Sequence, residues 1–122
     1  MPQITVEYSA NLTDTFDRRG FALALHALTA RVADAAVENC KTRFRCLDEV
    51  CVADGAAGSA LVHVQLALLA GRTEAVKAEL SEAVLELLRK YTSQGLDASG
   101  PVVHASVDVN ELGAAYRKHV GA

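Results

Sequence analysis

The apolar run from Ala60 to Ala70 constrains the fold of this chain more than any other segment. Alternate residues of the run form one fully apolar face, which consists of Ala60, Val62, Val64, Leu66 and Leu68. The opposite face is also largely apolar and consists of Leu61, His63, Gln65, Ala67 and Leu69. A strand with two apolar faces is expected inside a sheet that is covered on both sides. We therefore predict a central strand over Ser59–Leu69.

Residues typical of turns and helix caps separate further elements along the chain. Alternating polarity predicts strands, and apolar residues at helical spacing predict helices. The predicted strands are Gln3–Tyr8, Thr42–Val52 and Val102–Val109, and the predicted helices are roughly 15–33 and the segment from the N-cap Thr73 to about Gly95. The polar tail Glu111–Ala122 is expected to add a short helical turn.

The resulting order, β-α-β-β-α-β, predicts an α+β fold of the split βαβ, ferredoxin-like type. The 122 residues suffice for a single domain, 1–122, made of two similar halves at about 1–56 and 57–122. Both helices would then cover one face of a four-stranded sheet. The second apolar face of the central strand accordingly predicts burial against another subunit.

Composition and charge exclude several classes of protein. The formal net charge is −3, which disfavours nucleic-acid binding through a basic surface. The first residues lack the basic segment and following apolar segment of a secretory signal. The longest apolar run is too short to span a bilayer. These features predict a cytoplasmic protein with no membrane or nucleic-acid partner.

The cysteines and histidines do not show the spacing of a metal site. Cys40, Cys46 and Cys51 form no CxxC pair, and the four histidines are scattered along the chain. We therefore expect reduced thiols in or near a strand, and no metal.

A row of basic residues marks the second predicted strand. Lys41, Arg43 and Arg45 alternate and so point to one face, with Phe44 on the other. Three like charges on one face repel each other unless an anion is nearby. Acidic side chains of a neighbour, an anionic substrate, or simple solvent exposure of a sheet edge would each satisfy this pattern.

The junction between the third strand and the second helix carries another cation. Gly71 permits a tight exit from the strand, and Arg72 then precedes the helix N-terminus, whose first N–H groups lack partners. A guanidinium beside such a terminus suits a carboxylate ligand. The alternatives are that Arg72 is solvated or paired with Glu74.

Four segments together resemble the tautomerase superfamily. They are MPQITVEYS at the start, KTRFR in the second strand, ADG followed by ALVHVQL, and AGRT at the start of the long helix. The chain is most similar to the 5-carboxymethyl-2-hydroxymuconate isomerase family, over essentially its whole length. Lys41 stands where that family carries the first arginine of its Arg-x-Arg strand.

The resemblance implies a cofactor-independent isomerase that assembles as a homotrimer around a central barrel. Removal of Met1 would make Pro2 the N-terminal residue, whose secondary amine would act as the general base. Arg72, Lys41 and Arg43 would bind a small anionic dienol or keto acid. The implied reaction is keto–enol tautomerisation, or double-bond migration, in an unsaturated 2-hydroxy or 2-oxo carboxylate.

Two other functions remain open at this point. The first is a non-catalytic trimeric module of the same fold that binds an anion or serves assembly. The second is an unrelated ferredoxin-like regulatory domain in which Pro2 has no special role.

Overall fold

The computed structural model describes residues 1–122, and its elements follow the predicted order. The strands are β1 (Gln3–Ser9), β2 (Lys41–Leu47), β3 (Ser59–Leu68) and β4 (Val102–Glu111), and the helices are α1 (Arg18–Ala33) and α2 (Glu74–Ser93). Two short 3-10 helices, Ala10–Leu12 and Val37–Asn39, lie in the connections before α1 and before β2.

The four strands form one mixed sheet in the order β2-β1-β3-β4. Each βαβ half contributes a parallel pair, β1 with β2 and β3 with β4. The halves join through the antiparallel pair of β1 and β3, in which Val6 lies opposite Val64. The predicted α+β fold with a central third strand is therefore confirmed.

The core lies between the sheet and the two helices. All five residues of the predicted apolar face of β3 are fully buried (0% exposed). They pack in one cluster with Ile4 and Val6 of β1, and with apolar residues of both helices such as Phe21 and Leu80. Such a core explains the fold, because burial of apolar surface is its main stabilising contribution.

Two predicted boundaries are wrong. The second strand ends at Leu47 rather than at Val52, because its partner β1 ends at Ser9, opposite Leu47. Residues beyond that pair have no strand with which to form backbone hydrogen bonds. The first helix starts at Arg18 rather than near residue 15, because the Asp17 side chain caps it by accepting a hydrogen bond from the Gly20 N–H (3.0 Å).

The second helix begins as predicted. The Thr73 hydroxyl accepts a hydrogen bond from the Val76 N–H (3.1 Å) and so acts as the N-cap. The helix ends at Ser93, and Gly95 follows with a φ of +75°, a conformation that favours glycine. Neither helix combines the length and the apolar character needed to cross a membrane.

The open face of the sheet is more polar than the pattern of β3 alone predicts. The register sets His63 beside Glu7 and Ser106, and Gln65 beside Asp108. His63 Nδ1 lies 2.7 Å from the Ser106 hydroxyl, and the Gln65 amide donates to Asp108 at 3.3 Å. Polar side chains of neighbouring strands thus surround the apolar residues of β3 on this face.

We expect Leu66→Ala to lower the free energy of unfolding by about 2–5 kcal/mol, because Leu66 is fully buried and its loss leaves a cavity. Gln65→Ala, one residue earlier on the open face, should change it by less than about 1 kcal/mol. Urea unfolding of both variants checks this. Equal changes in the free energy of unfolding would contradict the assignment of Leu66 to the buried face and Gln65 to the open face.

Candidate active site

The candidate site begins at the N-terminal end of β1. Pro2 is buried, and its carbonyl accepts a hydrogen bond from the Lys41 backbone N–H (3.1 Å). This bond extends the β1/β2 ladder by one residue and fixes Pro2 beside the start of β2. A proline at this position breaks no ladder bond, since it precedes the strand. The sheet therefore brings two of the predicted site residues, Pro2 and Lys41, together.

Asn39 holds two ammonium groups beside this end of β1. Lys41 Nζ donates to the Asn39 carbonyl (2.9 Å), and Lys118 Nζ donates to Asn39 Oδ1 (2.8 Å). Lys118 comes from the C-terminal segment, 79 residues away in sequence. This segment therefore reaches the site, although its residues were not among those predicted from the sequence.

Gln3 connects a third cation to the same segment. Arg43 donates to Gln3 Oε1, and the Gln3 amide nitrogen donates to the Tyr116 hydroxyl (3.0 Å). Lys41 and Arg43 lie on the same face of β2, as the alternation predicted, since Phe44 packs against the core on the other face. Gln3 thus ties the basic strand, β1 and the tail together.

Positive charge at this end of the sheet is not neutralised. Lys41, Arg43 and Lys118 form no ion pair with a carboxylate, whereas the neighbouring Arg45 lies 4.0 Å from Glu7. Neutral carbonyl and amide oxygens take the hydrogen bonds of these three cations. The arrangement is suited to binding an anion.

This environment makes an amine less basic. Burial, followed by a hydrogen bond with Lys41 and the charges of Lys41 and Lys118, lowers the pKa of the Met1 α-amino group from its usual 8.0 to about 6. Each of these causes disfavours the protonated amine. The Met1 α-amino group is consequently largely unprotonated at neutral pH.

Arg72 has a different environment from the one expected. Its Nε donates to the Ala33 carbonyl (3.0 Å), and its Nη1 and Nη2 lie 3.4 and 3.5 Å from the carbonyls of Leu69 and Asp34. The end of α1 leaves carbonyls without helical partners, and Arg72 supplies donors to them. Of the two alternatives to anion binding, pairing of Arg72 with Glu74 is therefore wrong.

Glu74 instead forms an ion pair with Lys77, at 2.7 Å. The contacts of Arg72 use three of the five N–H donors of its guanidinium. Two donors are left for a further ligand.

The cysteines are free thiols at three different places. Cys40 is buried just before β2, where burial raises the pKa of its thiol. Cys46 is exposed on β2, and Cys51 is exposed in the loop that follows. The side chains form no group of three or more His, Cys, Asp or Glu that could hold a metal ion.

Four residues of the site were missed by the sequence analysis: Gln3, Asn39, Tyr116 and Lys118. The tail was expected to form a short helical turn, and it forms one hydrogen-bonded turn, from the Tyr116 N–H to the Gly113 carbonyl (3.0 Å). The only signal in the sequence was the basic run Arg117-Lys118-His119. Only the tertiary structure shows that this run lies beside the start of β1.

With this geometry described, comparison with known proteins decides the family. The sequence profile of the 5-carboxymethyl-2-hydroxymuconate isomerase family matches residues 2–119. The chain belongs to this family. It is therefore an isomerase of the tautomerase superfamily, and the predicted resemblance is confirmed. No curated protein matches the chain with significance.

Solved structures show the same fold. A 5-carboxymethyl-2-hydroxymuconate isomerase from Deinococcus radiodurans R1 is 24% identical, with a TM-score of 0.83 over 98% of this chain and 90% of the other. A 5-carboxymethyl-2-hydroxymuconate delta-isomerase is 20% identical, with a TM-score of 0.82 over 99% and 89%. A fused 4-OT symmetric trimer is 21% identical, with a TM-score of 0.65 over 91% and 85%.

We expect Arg72→Ala to lower the free energy of unfolding by about 1–3 kcal/mol, because the terminal carbonyls of α1 lose a charged donor. Arg89→Ala is the matched control, since Arg89 is exposed and pairs only with Glu86 on its own helix (3.3 Å). Its effect should stay below about 0.5 kcal/mol. Thermal or urea unfolding measures both. An Arg72 variant as stable as the Arg89 variant would show that the carbonyl contacts contribute little.

Proposed function

We propose that this isomerase catalyses keto–enol tautomerisation, or double-bond migration, in an unsaturated 2-hydroxy or 2-oxo carboxylate similar to 5-carboxymethyl-2-hydroxymuconate. Pro2, freed by removal of Met1, is the general base. The observation that carries this proposal is the N-terminal end of β1, where Pro2 is buried and no carboxylate balances the charges of Lys41 and Lys118. Burial first, and these lysines second, lower the pKa of the Met1 α-amino group there.

Proline suits a general base for physical reasons. While Met1 is attached, the nitrogen of Pro2 is an amide and holds no basic lone pair. After Met1 is removed, that nitrogen is a secondary amine whose direction is fixed by the ring and by the ladder bond to Lys41. It can then take a proton from the 2-hydroxyl or from a carbon of the substrate and return it at another position.

The cations have two roles in this reaction. Lys41 and Arg43 bind the carboxylate and stabilise the dienolate on which negative charge develops. They also disfavour protonation of the nearby amine, so that the base is available near neutral pH. Arg72 contributes to binding through the two donors that its contacts with backbone carbonyls leave free. Proton transfer alone completes the reaction, so neither a cofactor nor a metal takes part in it.

We also propose that the protein assembles as a homotrimer. The outer strands β2 and β4 each leave one edge of the sheet without a partner strand. Joining the β2 edge of one copy to the β4 edge of the next would leave no free sheet edge. The polar open faces would then line the centre of the ring. The fused 4-OT protein of the same fold is a symmetric trimer.

We expect Pro2→Ala to lower kcat for the enol–keto conversion of phenylenolpyruvate by about 10²–10⁴-fold, as for loss of a positioned general base. The mass of each protein must first show that Met1 has been removed. Pro101→Ala, which alters the chain's other proline, should keep the full rate. A Pro2→Ala protein with the wild-type rate would contradict the role of Pro2, whereas a wild-type protein with no measurable rate would favour a non-catalytic anion-binding module.

The pH dependence of kcat/KM tests the state of the base. Protonation removes the lone pair, so the rate falls about tenfold per pH unit below the pKa of the amine. Burial and the lysines lower the pKa of the Met1 α-amino group, and we expect the same surroundings to act on the Pro2 amine. The fall should therefore begin below the usual value of an N-terminal amine, about 8. A fall that begins above pH 9 would show that the amine is not depressed.

A further inference from the structure

The C-terminal segment after β4 is fixed against the candidate site at three points. The Leu112 N–H donates to the Leu68 carbonyl (2.6 Å), at the end of β3. The Tyr116 hydroxyl accepts from Gln3 of β1, and Lys118 donates to Asn39 just before β2. The segment therefore runs across the ends of three strands and delivers Lys118 to the place where β1 begins.

The ammonium group of Lys118 is held by a neutral partner although carboxylates hold other cations of the chain. Lys77, for example, lies 2.7 Å from Glu74 and 3.7 Å from Glu111. Lys118 instead shares Asn39 with Lys41, so two ammonium groups converge on one residue. Two like charges in one place repel each other, and an anion between them would relieve that repulsion.

We propose that Lys118 is a substrate-binding residue, which together with Lys41 holds a carboxylate of the substrate beside Pro2. The inference rests on the proposed function, since it assigns a further residue to the same site. A carboxylate has two oxygens and so accepts a hydrogen bond from each ammonium group. Asn39 positions both lysines through its carbonyl and its side-chain oxygen.

The electrostatics of the N-terminus agree with this placement. The charge of Lys118 is one of the causes that lower the pKa of the Met1 α-amino group. We therefore expect Lys118 to act on the Pro2 amine as well as on the substrate. Its removal should weaken binding and make the amine more basic.

The test compares Lys118→Met, Lys118→Arg and Arg117→Met with phenylenolpyruvate as the substrate. We expect Lys118→Met to lower kcat/KM by about 10- to 100-fold, mainly through a higher KM, as for loss of a charge-assisted hydrogen bond. Lys118→Arg should retain most of the activity, because it keeps the charge. Arg117→Met is the control: Arg117 is the adjacent cation, and its guanidinium bonds only to the Ala114 and Tyr116 carbonyls of the tail.

The pH profile and the pKa of the N-terminal nitrogen, measured by nitrogen-15 NMR, give a second readout. In Lys118→Met both should shift to higher pH, and in Arg117→Met neither should. Unfolding temperatures of all variants show whether the tail change disturbs the fold. An Lys118→Met protein with wild-type KM and amine pKa would overturn the inference, as would equal losses in Lys118→Met and Lys118→Arg.

The Pro2→Ala protein in the same assay separates this inference from the proposed function. If Pro2→Ala is inactive while Lys118→Met has the wild-type kcat/KM, only the role of Lys118 is wrong. If Pro2→Ala is fully active, the proposed function is wrong, and the NMR titration still decides whether Lys118 acts on the N-terminal amine.

Discussion

The antiparallel pairing of β1 with β3 is the interaction on which the rest of the structure depends. It joins the two parallel βαβ halves into one sheet, with Val6 opposite Val64 in the middle of the core. Both helices then cover one face, and the residues of β3 on that face become fully buried. The parallel pairing of β1 with β2 places Pro2 at an end of the sheet, where its carbonyl accepts a hydrogen bond from Lys41. The core and the candidate site therefore depend on the two pairings that β1 makes.

The site depends on positive charge without a matching negative charge. Elsewhere in the chain Lys77 and Arg89 pair with carboxylates. Around β1 the corresponding partners are the neutral oxygens of Asn39 and Gln3. A neutral acceptor positions a cationic group without cancelling its charge. An uncancelled positive charge is what both anion binding and a lowered amine pKa require. Lysine and arginine residues therefore stabilise the fold where carboxylates pair with them, and supply charge to the candidate site where their partners are neutral.

Arg72 shows that a sequence motif can identify a residue without predicting which atoms that residue contacts. The Gly-Arg-Thr junction was predicted correctly as a strand exit followed by a helix N-cap, because those are local properties of Gly71 and Thr73. The carbonyls that Arg72 bonds belong mainly to the end of α1, 38 and 39 residues earlier. No local pattern reports such a contact. The end of β2 was predicted wrongly for the same reason: the strand stops where its partner β1 stops, and β1 is distant in sequence.

The sequence by itself determined the order of the elements, the buried face of β3, the basic face of β2 and the family. Each of these follows from short-range periodicity or from a motif, and both are carried by neighbouring residues. Only the tertiary structure decided that the open face is polar, that Arg72 holds the end of α1, and that the tail brings Lys118 to Asn39. The physical reason is that these contacts join segments far apart in the chain. Their partners are chosen by the packing of the whole sheet and not by local preference.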